Sequence, residues 1–259
     1  MRIAYLTQSY PPMISGAAIS AQQTAEAMAN RGHKVLVIAA SDREYAYHTY
    51  KNNITILRLR SFTNPLRVGQ RFIPNPRYRV MKSLKQFKPD VIHAHEPLQM
   101  GALALSYAKH TRIPVTLTTH QLPGFVASYL PDKLKPIIKK TFWMYARISL
   151  KRYTSLISPT LTIAAIIERM IGLTPNVISY GLDLKTFHPV HHPDLVSASR
   201  KKLNLPSNIP LLLHVGRLDA DKSVDNVIRA AGPAIRESDA RLLIVGDGKQ
   251  KRHLIRLCR

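Results

Sequence analysis

The sequence has very little cysteine, and it lacks any long hydrophobic run. Cys258 is the single cysteine among 259 residues, which excludes an internal disulfide framework and is typical of a reducing compartment. No apolar stretch reaches the roughly 18 residues that a membrane-spanning helix needs. The N-terminal segment carries one arginine and a short strand-like run, unlike a signal peptide. We therefore expect a cytoplasmic location.

Acidic residues are also scarce. The chain has 15 Asp and Glu against 38 Lys and Arg, a net charge of +23. Residues 1–180 hold 24 basic and 7 acidic residues, so most of the excess lies there. Such a field attracts nucleic acid, anionic membranes or phosphorylated substrates. Because no basic motif interleaved with aromatic residues is present, we predict no nucleic-acid partner.

Short apolar runs alternate with helical patterns along residues 1–180. Several runs are apolar at consecutive positions, as in strands covered on both faces of a parallel sheet. The predicted strands are Arg2–Thr7, Lys34–Ala40, Ile54–Leu59, Asp90–His93, Val115–Thr119, Ser155–Ser158 and Val177–Tyr180. The predicted helices are Ser20–Arg31, Arg77–Gln86, Leu98–Lys109, Lys133–Arg152 and Leu161–Met170. This alternation predicts a doubly wound α/β domain.

A break follows at residues 181–194, where Gly181, Pro189 and Pro193 are typical of a linker. The alternation then resumes over residues 195–259. Its predicted elements are a helix at Leu195–Leu203, a strand at Leu211–Val215, a helix at Ser223–Arg236, a strand at Arg241–Val245 and a helix opening near Gln250. A complete domain usually needs roughly 100–150 residues, so we expect this second domain to be incomplete.

Glycine or histidine follows several predicted strands of the first domain. Gly16 lies between the first strand and its helix, where a backbone can approach an anion; a plain loop is the alternative. His120 directly follows a buried strand, where it could bond a sugar hydroxyl or a phosphate, or act as acid or base. The two histidines His93 and His95, with Glu96 beside them, resemble a partial zinc site, but no further ligand lies at the usual spacing. We favour a polar cleft lining over a metal site.

The segment "HVGRLDADKS" places two cations where a strand passes into a helix. Gly216 opens the loop, Arg217 offers a planar fork for phosphate oxygens, and Lys222 supplies a point charge. With the helix N-terminus, these groups predict a site for two phosphates. The alternative is that the cations form ion pairs with Asp219 and Asp221.

The next strand ends in "LLIVGDGKQ", so Gly246 and Gly248 would line a neighbouring loop. This loop has neither the glycine spacing nor the Ser/Thr of a Walker A motif. The first loop likewise lacks the G-x-G-x-x-G spacing of dinucleotide-binding folds.

The ordered set "YPPMISGAAISAQQTAEAMANRGHKVLVIA", "FKPDVIHAHEP", "TTH", "ISYGLDLKTFHP", "HVGRLDADKSVDNVIRAA" and "LLIVGDG" resembles the retaining glycosyltransferases of family four. Among these it resembles the bacterial glucosyl- and mannosyltransferases that form glycolipids. The resemblance covers essentially the whole chain and implies the GT-B fold, two Rossmann-like domains facing a cleft. It implies transfer of a hexose from a nucleotide-diphosphate sugar, such as UDP-glucose or GDP-mannose, with retention and without a metal or other cofactor.

The resemblance also implies residue roles. Arg217 and Lys222, with Gly216, match the donor-diphosphate site, and Gly16 matches the loop that approaches the same phosphates. His120 matches a histidine near the transferred sugar and is the catalytic candidate. Gly246 and Gly248 are further donor-side candidates, whereas His95 and Glu96 fall on the acceptor side. The segment Gly181–Asp183 matches the hinge, so we expect an acceptor-side domain at 1–180, a hinge at 181–194 and a partial nucleotide-sugar domain at 195–259.

Two departures from the family pattern are present. Many relatives have Gly-Gly in the first loop, whereas Ala17 follows Gly16 here. The family's Glu-x7-Glu motif would lie beyond residue 259, so the chain is expected to be C-terminally truncated. A non-catalytic remnant of such an enzyme is therefore an alternative.

Basic residues cluster in two places. Nine lie between Arg58 and Lys88 without an acidic residue among them. The helical pattern near residues 133–152 carries a basic stripe with an interfacial tryptophan, which suits anionic lipid headgroups. The predicted membrane contacts are Lys139, Lys140, Trp143, Arg147 and Lys151. A more apolar stripe comprises Ile137, Ile138, Thr141, Met144, Tyr145 and Ile148, and we expect it to face the sheet.

These features predict a glycosyltransferase that sits peripherally on the inner face of the cell membrane and takes a lipid acceptor. A transferase with a soluble acceptor is the second enzymatic alternative. The oligomeric state is left open by the sequence.

Overall fold

The computed structural model describes residues 1–64, 71–120, 122, 133, 135–190 and 192–258. Arg67 of the basic run, residue 134 of a predicted helix and residue 191 of the predicted hinge lie outside these residues. The chain divides into two compact units, Met1–Gly181 and Leu182–Arg259.

The first unit is an α/β layer structure. Its strands are β1 (Arg2–Leu6), β2 (Lys34–Ala40), β3 (Tyr47–Lys51), β4 (Ile54–Leu59), β5 (Phe62–Thr63), β6 (Arg71–Phe72), β7 (Val91–Ala94), β8 (Val115–Thr118), β9 (Ser155–Ser158) and β10 (Asn176–Val177). Its helices are α1 (Gly16–Asn30), α2 (Arg77–Phe87), α3 (Gln99–Thr111), α4 (Lys135–Leu150) and α5 (Leu161–Ile171).

Among the described residues, eight strands form the main sheet in the order β10-β9-β8-β7-β1-β2-β4-β3. Its neighbours are parallel except for β3, which runs antiparallel to β4 at the edge. Consecutive residues of β1 and β2 are buried, because helices cover both faces of the sheet. The strand order reverses around β1, which leaves a crevice at the carboxyl ends of β1 and β7.

Two apolar cores lie on opposite faces of this sheet. Helix α1 covers one face with small residues at helical spacing, Ala18, Ala21, Ala25 and Ala29. Helices α2 to α5 contribute to the larger core on the other face, which includes the fully buried Ile92 and Met100.

The second unit contains α6 (Pro193–Lys202), β11 (Leu211–Val215), a 3₁₀ turn (Ala220–Lys222), α7 (Val224–Ser238), β12 (Arg241–Val245) and α8 (Lys251–Leu257). Strands β11 and β12 pair in parallel. Leu218, Val224 and Leu254 form its small buried cluster.

Most differences from the sequence-based prediction lie at element ends and short edge strands. Helix α1 begins at Gly16 rather than Ser20, because the Ser15 hydroxyl caps it by accepting from Ala18 N. The edge strand β3 was not predicted, since its exposed sequence YHTYK has no apolar run. The last strand of the sheet is Asn176–Val177, shorter than the predicted Val177–Tyr180.

Gly101 of α3 allows this helix to pack closely on its surroundings. A Cβ there would overlap the Glu96 carbonyl and the Tyr153 hydroxyl. We expect Gly101→Ala to lower the free energy of unfolding by about 1–3 kcal/mol, as overpacking does. Gly16→Ala is the matched control, since a Cβ at Gly16 would meet no atom of the described residues within 4 Å. Urea unfolding followed by circular dichroism measures both; equal stabilities of the two variants would contradict this packing argument.

Candidate functional site

Three chain segments place polar groups near the point where the strand order reverses. The loop after β1 reaches it from one side, and His95 follows β7 directly, its backbone N–H donating to Leu6 O over 3.0 Å. His120 follows β8, the next strand of the sheet. Parallel strands therefore place these groups at one edge of the sheet.

Arg58 holds the loop that follows β1. Its buried guanidinium donates to Ala40 O over 3.2 Å and also to Tyr10 O and Pro11 O, with the Tyr10 ring 5.2 Å away. Burial lowers the pKa of Arg58. Arg58 thus stabilises the loop after β1 and does not contribute to the surface charge of the basic run. Its position inside the apolar run of β4, ITILRL, is the sequence signal for this role.

Gly16 lies at the first position of α1, beside the crevice. No atom of the described part of the chain lies within 4 Å of the position where its Cβ would be. Its closeness to the helix N-terminus, which carries free N–H groups, is compatible with the predicted approach of an anion.

Three histidines and a tyrosine form a ring stack, which we call the histidine stack: His93, His95, His120 and Tyr180. Successive ring centroids lie 4.4, 5.2 and 5.6 Å apart. His95 Nδ1 is 2.9 Å from His120 Nε2, and His120 Nδ1 is 2.6 Å from the Tyr180 hydroxyl. His93 Nε2 is 2.7 Å from the Thr118 hydroxyl. The sequence pointed to the histidines but not to Tyr180, which was assigned to a strand end.

Burial controls the charge of this stack. It lowers the pKa of His93 and of His120 from 6.5 to about 4, and it lowers that of His95 as well. For His93 and His95, repulsion from the neighbouring imidazoles adds to the effect. The three rings are therefore neutral near pH 7 and act through hydrogen bonds rather than charge.

Glu96 caps helix α3. Its Oε1 accepts from Met100 N over 2.6 Å and its Oε2 accepts from Leu98 N over 2.8 Å. Burial raises its pKa, although these backbone hydrogen bonds oppose the shift. Both carboxylate oxygens are thus engaged in positioning α3.

In the second unit, Arg217 is held between two carboxylates. Its Nη2 lies 2.9 Å from Asp221 Oδ2, and its Nη1 pairs with Asp219. This is the ion pairing that the sequence left open for Arg217. Lys222 is exposed at the end of the 3₁₀ turn and makes no ion pair within the described part of the chain.

Gly246 and Gly248 allow the loop after β12 to pack closely on the loop after β11. A Cβ on Gly246 would overlap Gly216 O, and one on Gly248 would overlap Leu218 O. Gly216 N donates to Val245 O over 3.0 Å. Close backbone packing therefore accounts for glycine at positions 246 and 248.

Helix α4 exposes much of its predicted apolar stripe. Ile137 is 66% exposed, Met144 60% and Ile148 66%. The expectation that this stripe faces the sheet is wrong for these residues, because α4 turns Ala146 and Leu150 inward instead. The predicted contacts Lys139, Lys140, Arg147 and Lys151 are exposed, whereas the half-buried Trp143 packs partly against the larger core.

Two kinds of feature are absent from the described residues. Within the described ranges, no three His, Cys, Asp or Glu side chains are grouped to hold a metal ion. No helix in that part of the chain has the length and apolar content needed to cross a membrane.

Solved structures resemble this fold. A sucrose-phosphate synthase from Thermosynechococcus elongatus superimposes with a TM-score of 0.69 at 21% identity, over 95% of this chain and 62% of the other. WaaG, a glycosyltransferase involved in lipopolysaccharide biosynthesis, superimposes with a TM-score of 0.67 at 17% identity, over 100% of this chain and 66% of the other. At these identities the likeness shows the fold, and it confirms the predicted α/β class of GT-B type.

Curated relatives are similar over nearly the whole chain. The alpha-monoglucosyldiacylglycerol synthase of Acholeplasma laidlawii is 26% identical over 97% of this chain and 64% of its own length. A GDP-mannose-dependent alpha-mannosyltransferase of Mycobacterium tuberculosis is 28% identical over 98% of this chain and 65% of its own length. The chain thus spans slightly less than two thirds of these relatives.

Two family patterns cover most of the sequence. Residues 196–259 match Glycosyl transferases group 1, and residues 14–186 match Glycosyltransferase Family 4. Because the second match alone spans more than half of the chain, the chain belongs to Glycosyltransferase Family 4.

Proposed function

We propose that this protein transfers a hexose from a nucleotide-diphosphate sugar to a membrane lipid, with retention of the anomeric configuration and without a metal or other cofactor. The observation that carries the proposal is membership of the family together with a polar crevice at the strand reversal. The names of two relatives, an alpha-monoglucosyldiacylglycerol synthase and a GDP-mannose-dependent alpha-mannosyltransferase, support a glucosyl or mannosyl donor and a lipid acceptor. We propose UDP-glucose or GDP-mannose as that donor.

Residues 1–180 serve the acceptor in this proposal, 181–194 act as the hinge, and 195–259 contribute to the donor site. The division of the chain into Met1–Gly181 and Leu182–Arg259 supports this assignment.

The donor diphosphate binds at the loop of Gly216, Arg217 and Lys222. A nucleoside diphosphate leaves with additional negative charge, and positioned cations lower the barrier by stabilising it. Lys222 supplies an exposed charge, while Asp219 and Asp221 fix the direction of the Arg217 fork. Gly16, Gly246 and Gly248 complete the donor side.

His120 acts near the transferred sugar as a neutral hydrogen-bonding group. Its burial supports this role, since a neutral imidazole orients the Tyr180 hydroxyl, which lies 2.6 Å from its Nδ1, without adding charge. His95 and Glu96 lie on the acceptor side, where Glu96 contributes by holding the N-terminus of α3.

The lipid acceptor is reached at the inner face of the cell membrane. Two features of α4 support peripheral docking there: the exposed apolar residues Ile137, Met144 and Ile148, and the flanking cations Lys140 and Arg147. Apolar side chains can enter the headgroup region while the cations meet anionic lipid. This exposed stripe favours a lipid over a soluble acceptor.

The donor site is tested by removing its cations. We expect Lys222→Ala to weaken calorimetric binding of UDP or GDP about 10- to 100-fold, because a charge-assisted phosphate contact is lost. Arg217→Ala should weaken it further, since Asp219 and Asp221 would then face the phosphates without compensation. Lys201→Ala, an exposed lysine on α6, is the control. Unchanged affinity in both loop variants would refute the assignment.

Membrane docking is tested with vesicles. We expect the protein to co-sediment with vesicles containing phosphatidylglycerol and much less with phosphatidylcholine alone. Ile148→Ser should reduce this binding, because each buried apolar side chain contributes about 1.5–3 kcal/mol. Ile255→Ser, an exposed isoleucine of α8, is the matched control. Equal, weak binding to both vesicle types would exclude an electrostatic docking surface.

The neutral histidines predict a pH dependence of stability. In the unfolded chain His93 takes up a proton near pH 6.5, but in the folded protein only near pH 4. The contribution of His93 to the free energy of unfolding is fully present above about pH 6.5. As the pH falls towards 4, this contribution is lost and the free energy of unfolding falls by about 1–3 kcal/mol. Urea unfolding across this range should show a shallower decline for His93→Asn than for His110→Asn, which changes an exposed histidine. Identical slopes would contradict the burial argument.

A further inference from the structure

The histidine stack contains a continuous hydrogen-bond chain from the interior to the surface. It begins at His95, which is 3% exposed, passes through His120, and ends at the Tyr180 hydroxyl. Tyr180 is 42% exposed. The chain therefore leads from a fully enclosed ring to a hydroxyl that a ligand can reach.

Both ring nitrogens of His120 are occupied within this chain. Nε2 faces His95 and Nδ1 faces Tyr180, so His120 has no ring nitrogen left for a ligand while these bonds persist. A neutral imidazole has one N–H donor and one acceptor nitrogen. The protons must consequently be ordered in a single direction along the chain.

The environment of His95 selects that direction. Its Nε2 is buried and has no hydrogen-bond partner among the residues that the structure describes. If the protons pointed inward, this nitrogen would carry an N–H with nothing to accept it, and buried N–H groups without acceptors are rare. If they point outward, His95 Nδ1–H donates to His120, and His120 Nδ1–H donates to the Tyr180 oxygen.

We infer that Tyr180, rather than His120, presents the hydrogen-bond donor of this site, and that its ligand is a hydroxyl oxygen of the sugar. The outward order uses the Tyr180 oxygen as the acceptor for His120, which leaves the hydroxyl proton free to point away from the stack. His95 and His120 are then positioning residues that fix where this proton points. The ligand class, though not the order of the protons, rests on the proposed function.

The order of the protons is tested directly in the unaltered protein. Long-range nitrogen–proton NMR spectra of histidine-labelled protein distinguish the two neutral forms of imidazole. We expect the proton on Nδ1 in both His95 and His120. Protons on Nε2 of both rings would overturn the inference, because Tyr180 would then donate inward.

A second measurement tests the sugar contact. We expect Tyr180→Phe to weaken binding of UDP-glucose or GDP-mannose about three- to tenfold, because it removes one neutral hydrogen bond. Binding of UDP or GDP, which lack the sugar, should not change. Tyr78→Phe, which changes an exposed tyrosine of α2, is the control. An equal loss for the sugar and sugar-free nucleotides, or no loss at all, would overturn the assignment.

The two measurements separate failure of this inference from failure of the proposed function. If the unaltered protein bound neither the nucleotides nor the nucleotide sugars, the proposed donor would be wrong. The NMR spectra would still decide whether Tyr180 carries the outward proton. We expect the proton of His120 to stay on Nδ1 in His95→Asn but not in His95→Leu, since of the two only asparagine retains a hydrogen-bond donor at this position. That result would further support the outward order of the protons.

Discussion

The site depends on one constraint, the parallel pairing of β1 with both β2 and β7. Pairing on both sides makes β1 the place where the strand order reverses. The chain segments leaving β1 and β7 diverge there, which is where a doubly wound sheet opens a crevice at the carboxyl ends of its strands. Burial of β1 by helices on both faces fixes the position of that crevice.

Much of this arrangement could be predicted from the sequence. Strands Lys34–Ala40, Ile54–Leu59 and Ser155–Ser158 have the predicted bounds, because their β-branched and apolar runs are unambiguous. The meeting of His95 and His120 follows from parallel strands that end at one edge. Tyr180 was missed because its segment has the pattern of a strand end. Its hydrogen bond to His120 joins residues far apart in the sequence, and no periodic pattern predicts such a contact.

Charged residues were harder to place than apolar ones. Arg58 and Lys88 belong to one basic run, yet Arg58 is buried under the first loop, where backbone carbonyls accept its N–H groups. Arg217 forms the alternative ion pair with Asp221, and its place in the donor site stays a prediction. Sequence spacing gives the positions of charges along the chain, but their burial depends on tertiary packing. The same limit applies to α4, whose inward face is set by its neighbours.

The proposed transfer of a hexose to a lipid with retention can be measured by product analysis. The protein would be incubated with UDP-glucose or GDP-mannose and vesicles containing diacylglycerol or phosphatidylinositol, and the lipid product analysed by mass spectrometry and proton NMR. We expect a glycolipid one hexose heavier than its acceptor, with the α-configuration of the donor and one nucleoside diphosphate released per transfer. A product of inverted configuration, or no glycolipid from either donor, would contradict it.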